Sequence, residues 1–220
     1  MSLRSLGLDE RLREYLIWTS VDEHEVCRAC REQTASREDA RMQISAEQGQ
    51  LMDWLVRLLG VRRAVEVGTF TGYSALRTAL AMPADGRLTC CDIDPETGAI
   101  ARSWWALAGV SDRVELRIGP AADTLRELIA AGEAGTVDMM FVDADKEQYA
   151  AYVDLAWELL RPGGVLLVDN VLWSGRVVDE QDAEPSTVAI RALNRSLRED
   201  PRWDRVMIPI GDGLYCLRRR

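Results

Sequence analysis

Short apolar runs that alternate with helical stretches constrain this chain most. After residue 61 the segments "RAVEVG", "GRLTCCDID", "RVELRIG", "VDMMFVDAD" and "GVLLVDN" recur, each ending in a polar or glycine-containing turn. Between them lie "YSALRTALAM", "PETGAIARSWWALAG", "AADTLRELIAAG" and "EQYAAYVDLAWELLRPGG", with helical spacing of apolar residues. Strands alternating with helices specify a parallel, doubly wound α/β sheet. "WDRVMIPI" and "LYCLRRR" flank "GDG", a tight turn, so the last two strands are expected to form an antiparallel hairpin at or near an edge. The first sixty residues read as helices. Ser45 is an expected N-cap and Gly60 a C-cap of "SAEQGQLMDWLVRLLG". With no repeat or linker, one domain over 1–220 is expected, a helical extension (1–60) followed by an α/β core (61–220).

Composition removes several function classes. Net charge is -9, from 27 basic and 36 acidic residues, so phosphate backbones are repelled and nucleic acid is not the expected partner. No apolar run reaches membrane-spanning length, and "MSLRSLGLDERLREYL" lacks the core of a signal peptide. Five cysteines without a framework fit a reducing, cytoplasmic setting; the lone "CRAC" has no second pair to complete a zinc site, and Cys90 and Cys91 read as packing residues. His24 is the sole histidine, expected on a helix surface, which excludes Ser-His-Asp catalysis and His-rich metal sites. Any metal must then be held mainly by oxygen, which favours magnesium, manganese or calcium.

Ligands of doubly wound sheets bind outside the carboxyl ends of the strands, so three strand ends matter. In "VEVGTFTGYSA", Glu66, Gly68 and Gly72 follow a strand. The glycines serve a tight turn or the approach of a ligand to backbone amides. Their spacing is not the G-x-G-x-x-G dinucleotide fingerprint. In "CCDIDPE", Asp92 is placed to take ribose hydroxyls or to remain a solvated acid, and Asp94 before Pro95 reads as a cap. Asp143 and Asp169 each end a strand, and Asn170 follows. If those strands are neighbours, two carboxylates and an amide oxygen converge as a hard-cation site; capping or arginine pairing is the alternative, and Asp145 is an expected cap. Lys146, three residues after Asp143, is either an exposed first-turn lysine or a base made effective by a nearby cation.

"ARMQISAEQGQLMDWLV", "VEVGTFTGYSAL", "CCDIDPE", "FVDADKEQY" and "LLVDNVLWSGRVVD", in that order, resemble the cation-dependent class I O-methyltransferases. This group contains caffeoyl-CoA and catechol O-methyltransferases, and the chain is most similar to its short bacterial members. The resemblance implies a Rossmann-like class I methyltransferase sheet, S-adenosylmethionine as cofactor and a divalent cation, magnesium first. It implies cofactor contacts from Ile44, Glu66, Gly68, Thr69, Gly72, Ser74, Asp92, Ala121 and Asp143. Asp143, Asp169 and Asn170 match the metal ligands, with Asp143 and Lys146 as catalytic residues and Lys146 the general base. Lys146 and Trp173 would line the pocket of a small aromatic dihydroxy acceptor. It also implies a homodimer to which the N-terminal helices contribute. The acidic "SGRVVDEQDAEPSTVAIR" is expected to disfavour polyanionic acceptors such as a CoA thioester. An NAD-dependent oxidoreductase lacks its fingerprint here, a noncatalytic binding module would not need Lys146, and a metal phosphoesterase leaves Glu66 and Asp92 unexplained.

Overall fold

The computed structural model describes residues 7–220 of the chain; the first residues of the opening segment lie outside them. Three helices come first: α1 (Glu10–Ser20), α2 (Glu25–Ala35) and α3 (Ala46–Leu59). Ser45 caps α3 by accepting from the Gln48 amide, and Gly60 ends it left-handed at φ 62°. His24 differs from the surface helical position expected of it. It precedes α2 as the N-cap, its Nδ1 accepting from the Val26 amide at 3.2 Å, which satisfies a first-turn donor.

Then strands and helices alternate: β1 (Arg63–Val67), α4 (Tyr73–Ala81), β2 (Arg87–Asp92), α5 (Pro95–Leu107), β3 (Val114–Ile118), α6 (Ala121–Leu128), β4 (Val137–Val142), α7 (Tyr149–Leu159) and β5 (Leu160–Val168). The chain closes with α8 (Pro185–Glu199), β6 (Trp203–Ile208) and β7 (Leu214–Arg219). The seven strands lie in the order β3-β2-β1-β4-β5-β7-β6. β1 to β5 are parallel, and β7 runs antiparallel between β5 and the edge strand β6. Helices cover both faces: one core gathers α2 to α5 and the other α6 to α8. Residues 139–142 of β4 and 165–168 of β5 are apolar without alternation because both faces of the sheet are covered there. Cys90 and Cys91 are fully enclosed packing residues, as expected.

The helix expected to run through "RPGG" stops at Leu159, and those residues begin β5 instead. Pro162 offers no amide to a helix and pushes Arg161 out of helical geometry, while Gly163 sits at φ 79°. At the foot of the sheet Asp138 joins three segments. It accepts from the Arg62 and Arg63 amides at 2.8 and 2.9 Å and from Arg161 Nε at 2.6 Å. Asp138→Ala is expected to destabilise the fold by about 1–3 kcal/mol, read from urea denaturation; an unchanged midpoint would refute that anchoring role.

Sheet order reverses at β1, with β2 on one side and β4 on the other. Val67 pairs with Val142 and Val142 with Val168, so the chain leaves all three strands at one level. The residues that follow them meet above that switch point.

Candidate active site

A cavity of about 1470 Å³ opens at these strand ends. One half lies over β1 and β2. Glu66 is 1% exposed, with Oε1 accepting from Ser74 Oγ at 3.0 Å and Oε2 buried without a partner. Burial raises its pKa well above the ordinary value, the charges of Asp143 and Asp92 add to this, and Ser74 opposes it. Gly68 turns at φ 87°, where a Cβ would sit 1.8 Å from the Asp143 carbonyl oxygen, so only glycine fits. Gly72, at φ 89°, heads α4 without any capping side chain, and Thr69 stands in the cavity lining. Asp92 takes three amides: Thr69 at 2.8 Å and Phe70 at 2.7 Å on Oδ2, and Asp94 at 2.9 Å on Oδ1. Ala121 and Ile44 are buried in the same wall.

The other half lies over β4 and β5. Lys146 begins a short turn before α7, and its Nζ donates to Asp143 Oδ1 at 2.9 Å, Asn170 Oδ1 at 2.6 Å and Tyr149 Oη at 2.7 Å. Asp169, 2% exposed, accepts from Gln48 Nε2 at 2.7 Å and from the Asn170 amide at 2.7 Å. Burial lifts the Asp169 carboxyl to about 7, Asp143 pushes the same way, and Gln48, the Asn170 amide and Lys146 oppose. Asn170 and Trp173 hold positive φ, at 57° and 49°. Trp173 is half-buried with its ring 5.7 Å from Lys146 Nζ.

Ile44, Gly68, Thr69, Ser74, Asp92, Ala121, Asp143, Lys146, Asp169, Asn170 and Trp173 thus line one cavity, and Glu66 lies beneath it on Ser74. Gly72, against expectation, lies off the lining, where a Cβ would meet Ala101 and Trp105 of α5. Asp145 departs from expectation: it makes no cap bond and accepts instead from Tyr152 Oη at 2.7 Å. Gln48 and Tyr149, which hold Asp169 and Lys146, carry no expectation from the sequence. Gln48 had a signal, since Ser45-x-x-Gln48 has capping-box spacing, yet its side chain turns across to Asp169 rather than back to Ser45.

The oxygen set of Asp143, Asp169 and Asn170 suits a hard divalent cation, and an ammonium already bridges two of the three residues. Among the described residues no group of three His, Cys, Asp or Glu side chains is placed to hold a metal, because the third donor is an amide.

A family model described as O-methyltransferase matches residues 18–220. Catechol O-methyltransferase domain-containing protein 1 of Mus musculus is 43% identical over 206 residues, 94% of this chain and 79% of that protein. Caffeoyl-CoA O-methyltransferase of Eucalyptus gunnii is 39% identical over 225 residues, 98% and 90% of the two chains. Among solved structures, the O-methyltransferase from Bacillus cereus in complex with SAH superposes with TM-score 0.87 at 27% identity, covering 96% of this chain and 97% of the other. TomG from Streptomyces achromogenes in complex with SAM gives 0.84 at 32% identity, covering 96% and 99%.

Proposed function

The chain belongs to the O-methyltransferase family, and from that premise we propose that it methylates one hydroxyl of a small catechol with the help of a divalent cation. S-adenosylmethionine supplies the methyl group. The observation that carries the proposal is the Lys146 ammonium on Asp143 Oδ1 and Asn170 Oδ1, beside the buried Asp169 carboxyl. Two like-charged acids at adjacent strand tips call for a cation between them.

Asp143, Asp169 and Asn170 would hold that ion, magnesium first and manganese or calcium with the same donors. When bound, it supplies the positive charge that acidifies vicinal hydroxyls. With a cation held by Asp143, Asp169 and Asn170, Lys146 would have given up its proton, and as the neutral amine its Nζ would accept the proton of the attacking hydroxyl, with Tyr149 Oη holding it in place. Trp173 packs beside the aromatic ring. Glu66 and Asp92 face the ribose side of the cofactor, with Gly68, Thr69, Ser74, Ala121 and Ile44 shaping its cradle and Gly72 opening α4 behind it; Asp143 borders both halves. Most of the acceleration then comes from fixed positioning of two anchored reactants.

A small acceptor is favoured over a CoA ester by the acidic segment after Trp173. Arg176 pairs with Asp182 at 2.7 Å, while Glu180 stays exposed with only a distant Arg195 partner at 3.8 Å. Methyl transfer with magnesium to catechol, a monophenol and caffeoyl-CoA tests this. Catechol is expected to give the highest kcat/KM, and preference for the CoA ester would refute the acceptor assignment.

Glu66 yields a separate prediction. Its folded pKa lies above the ordinary 4.5, so the folded state binds the proton more tightly than the unfolded chain. Its contribution to stability is therefore complete below 4.5 and is lost as pH rises toward the raised value. Glu66→Gln is expected to match or raise the cofactor-free Tm at neutral pH, with the gain shrinking on acidification. SAH affinity should fall about tenfold or more. Unaltered affinity by calorimetry would remove Glu66 from the cofactor site.

Trp18 (80% exposed), Tyr15 (62%), Trp54 (54%) and Leu58 (60%) leave an apolar face on α1 and α3. We assign it to a second copy of the chain, giving a homodimer. Light scattering should find twice the chain mass, and a monomer at micromolar concentration would contradict it. No helix of the described residues is long and apolar enough to cross a membrane. The five free cysteines fit a cytoplasmic enzyme.

A further inference from the structure

In the turn joining β1 to α4, Phe70 holds a left-handed backbone at φ 50° without being glycine. A side chain persists there only when its surroundings hold it. On one side, the amides of Thr69 and Phe70 converge on Asp92 Oδ2 at 2.8 and 2.7 Å. On the other side the contacts come from α2 and its flanks. Thr34 Oγ1 and Thr71 Oγ1 share a hydrogen bond of 2.8 Å, with the two residues 2% and 1% exposed. Cys30 Sγ donates to the Thr71 carbonyl at 3.8 Å. The Arg37 guanidinium stands 5.6 Å from the Phe70 ring centroid, steadied by Asp39 at 2.8 and 2.9 Å. Tyr73 Oη, just beyond the turn, donates to Glu23 Oε1 at 2.5 Å. Three of the four residues from Phe70 to Tyr73, all but Gly72, are thus tied to the helical extension by separate interactions.

We propose that α2 clamps this turn, with Thr34 and Arg37 as positioning residues for the cofactor. Thr34 fixes Thr71 and Arg37 covers Phe70, so Phe70 stays left-handed and both amides stay on Asp92. The carboxylate is thereby held in one orientation toward the cavity. The inference rests on the reading of Asp92 as the acid that meets the ribose hydroxyls. Neither Thr34 nor Arg37 touches a reacting atom. Their effect is on cofactor affinity and leaves the acceptor half of the cavity unchanged. Reciprocity follows: if α2 docking strengthens cofactor binding, cofactor binding strengthens α2 docking by the same factor.

Replacing Thr34 with valine keeps the shape and removes the hydroxyl, leaving Thr71 Oγ1 buried without its partner. Calorimetric titration with SAH should give Thr34→Val a Kd about 5–10-fold above wild type, and Thr34→Ser should restore it to within about twofold. KM for the catechol acceptor should stay unchanged, a split that general loss of structure would not produce. Hydrogen exchange of the α2 amides, 25–35, should slow when SAH binds the wild type and slow less in Thr34→Val. Arg37→Gln alters a half-buried side chain outside the core and serves if Thr34→Val folds poorly; its Kd should rise about 2–5-fold. A folded Thr34→Val, or failing that Arg37→Gln, that binds SAH like wild type overturns the clamp, as does unchanged α2 exchange on binding. Asp92→Asn separates the two layers. If it loses affinity while Thr34→Val does not, the ribose reading stands and the clamp fails. If it binds SAH like wild type, the ribose reading falls and the clamp falls with it.

Discussion

Lys146→Ala is expected to lower kcat by about 10²–10⁴-fold, the range for removal of a positioned general base. SAH affinity should stay within about twofold of wild type, because Lys146 lies in the half of the cavity over β4 and β5, the half we propose for the acceptor. The argument is geometric. Among the described residues, Lys146 Nζ is the one side-chain cation bonded to Asp143, Asn170 and Tyr149 together. It is only 10% exposed, so solvent does not replace it freely. Loss of kcat with intact cofactor binding marks an interaction used in the chemical step rather than in assembly. Single-turnover rates within about tenfold of wild type would move the proton transfer to another group, with Tyr149 the next to test.

Gly68→Ala is expected to destabilise the protein by about 2–5 kcal/mol. Two effects combine: overpacking, about 1–3 kcal/mol, and a left-handed backbone for an L side chain, about 1–2 kcal/mol. The added Cβ would lie 1.8 Å from Asp143 O and 2.6 Å from Asp143 C. Both are backbone atoms, so no rotamer change relieves the clash. Relief has to come from separating the ends of β1 and β4, where the Asp143 amide donates to Val67 O at 2.8 Å. That displaces Asp143, so activity should be lost in whatever fraction still folds. Gly109→Ala is the control. Gly109 also has positive φ, at 69°, but nothing within 4 Å of a Cβ, so it should show the backbone term alone. Equal losses in the two variants by urea denaturation would refute close packing at Gly68.

What could be read in the sequence was what local chemistry determines. Alternating strands and helices appear because each element buries its own apolar pattern, and the caps Ser45, Gly60 and Asp94 appear because a cap acts on neighbouring amides. Asp143 and Asp169 could be paired because both end apolar runs that a parallel sheet brings level. The misses arose where distant partners compete with local preference. Asp145 had the position of a cap, but Tyr152, seven residues further along, takes its carboxylate. Gln48 carries capping-box spacing, yet its partner Asp169 lies 121 residues away. The link between Thr34 and Thr71 spans 37 residues and has no motif to announce it. The end of α7 was misplaced because helical periodicity was extended through Pro162, which stops a helix regardless of the pattern around it.

The measurement that bears most directly on the whole account is the initial rate of methyl transfer from S-adenosylmethionine to catechol by metal-stripped enzyme, before and after magnesium is added back. The account expects turnover to disappear with chelator, return with magnesium, and fail to return in Asp169→Ala. Undiminished turnover in excess chelator would contradict it, leaving Asp143, Asp169 and Asn170 as a structural knot around Lys146 and the acceptor hydroxyl to be activated without a metal.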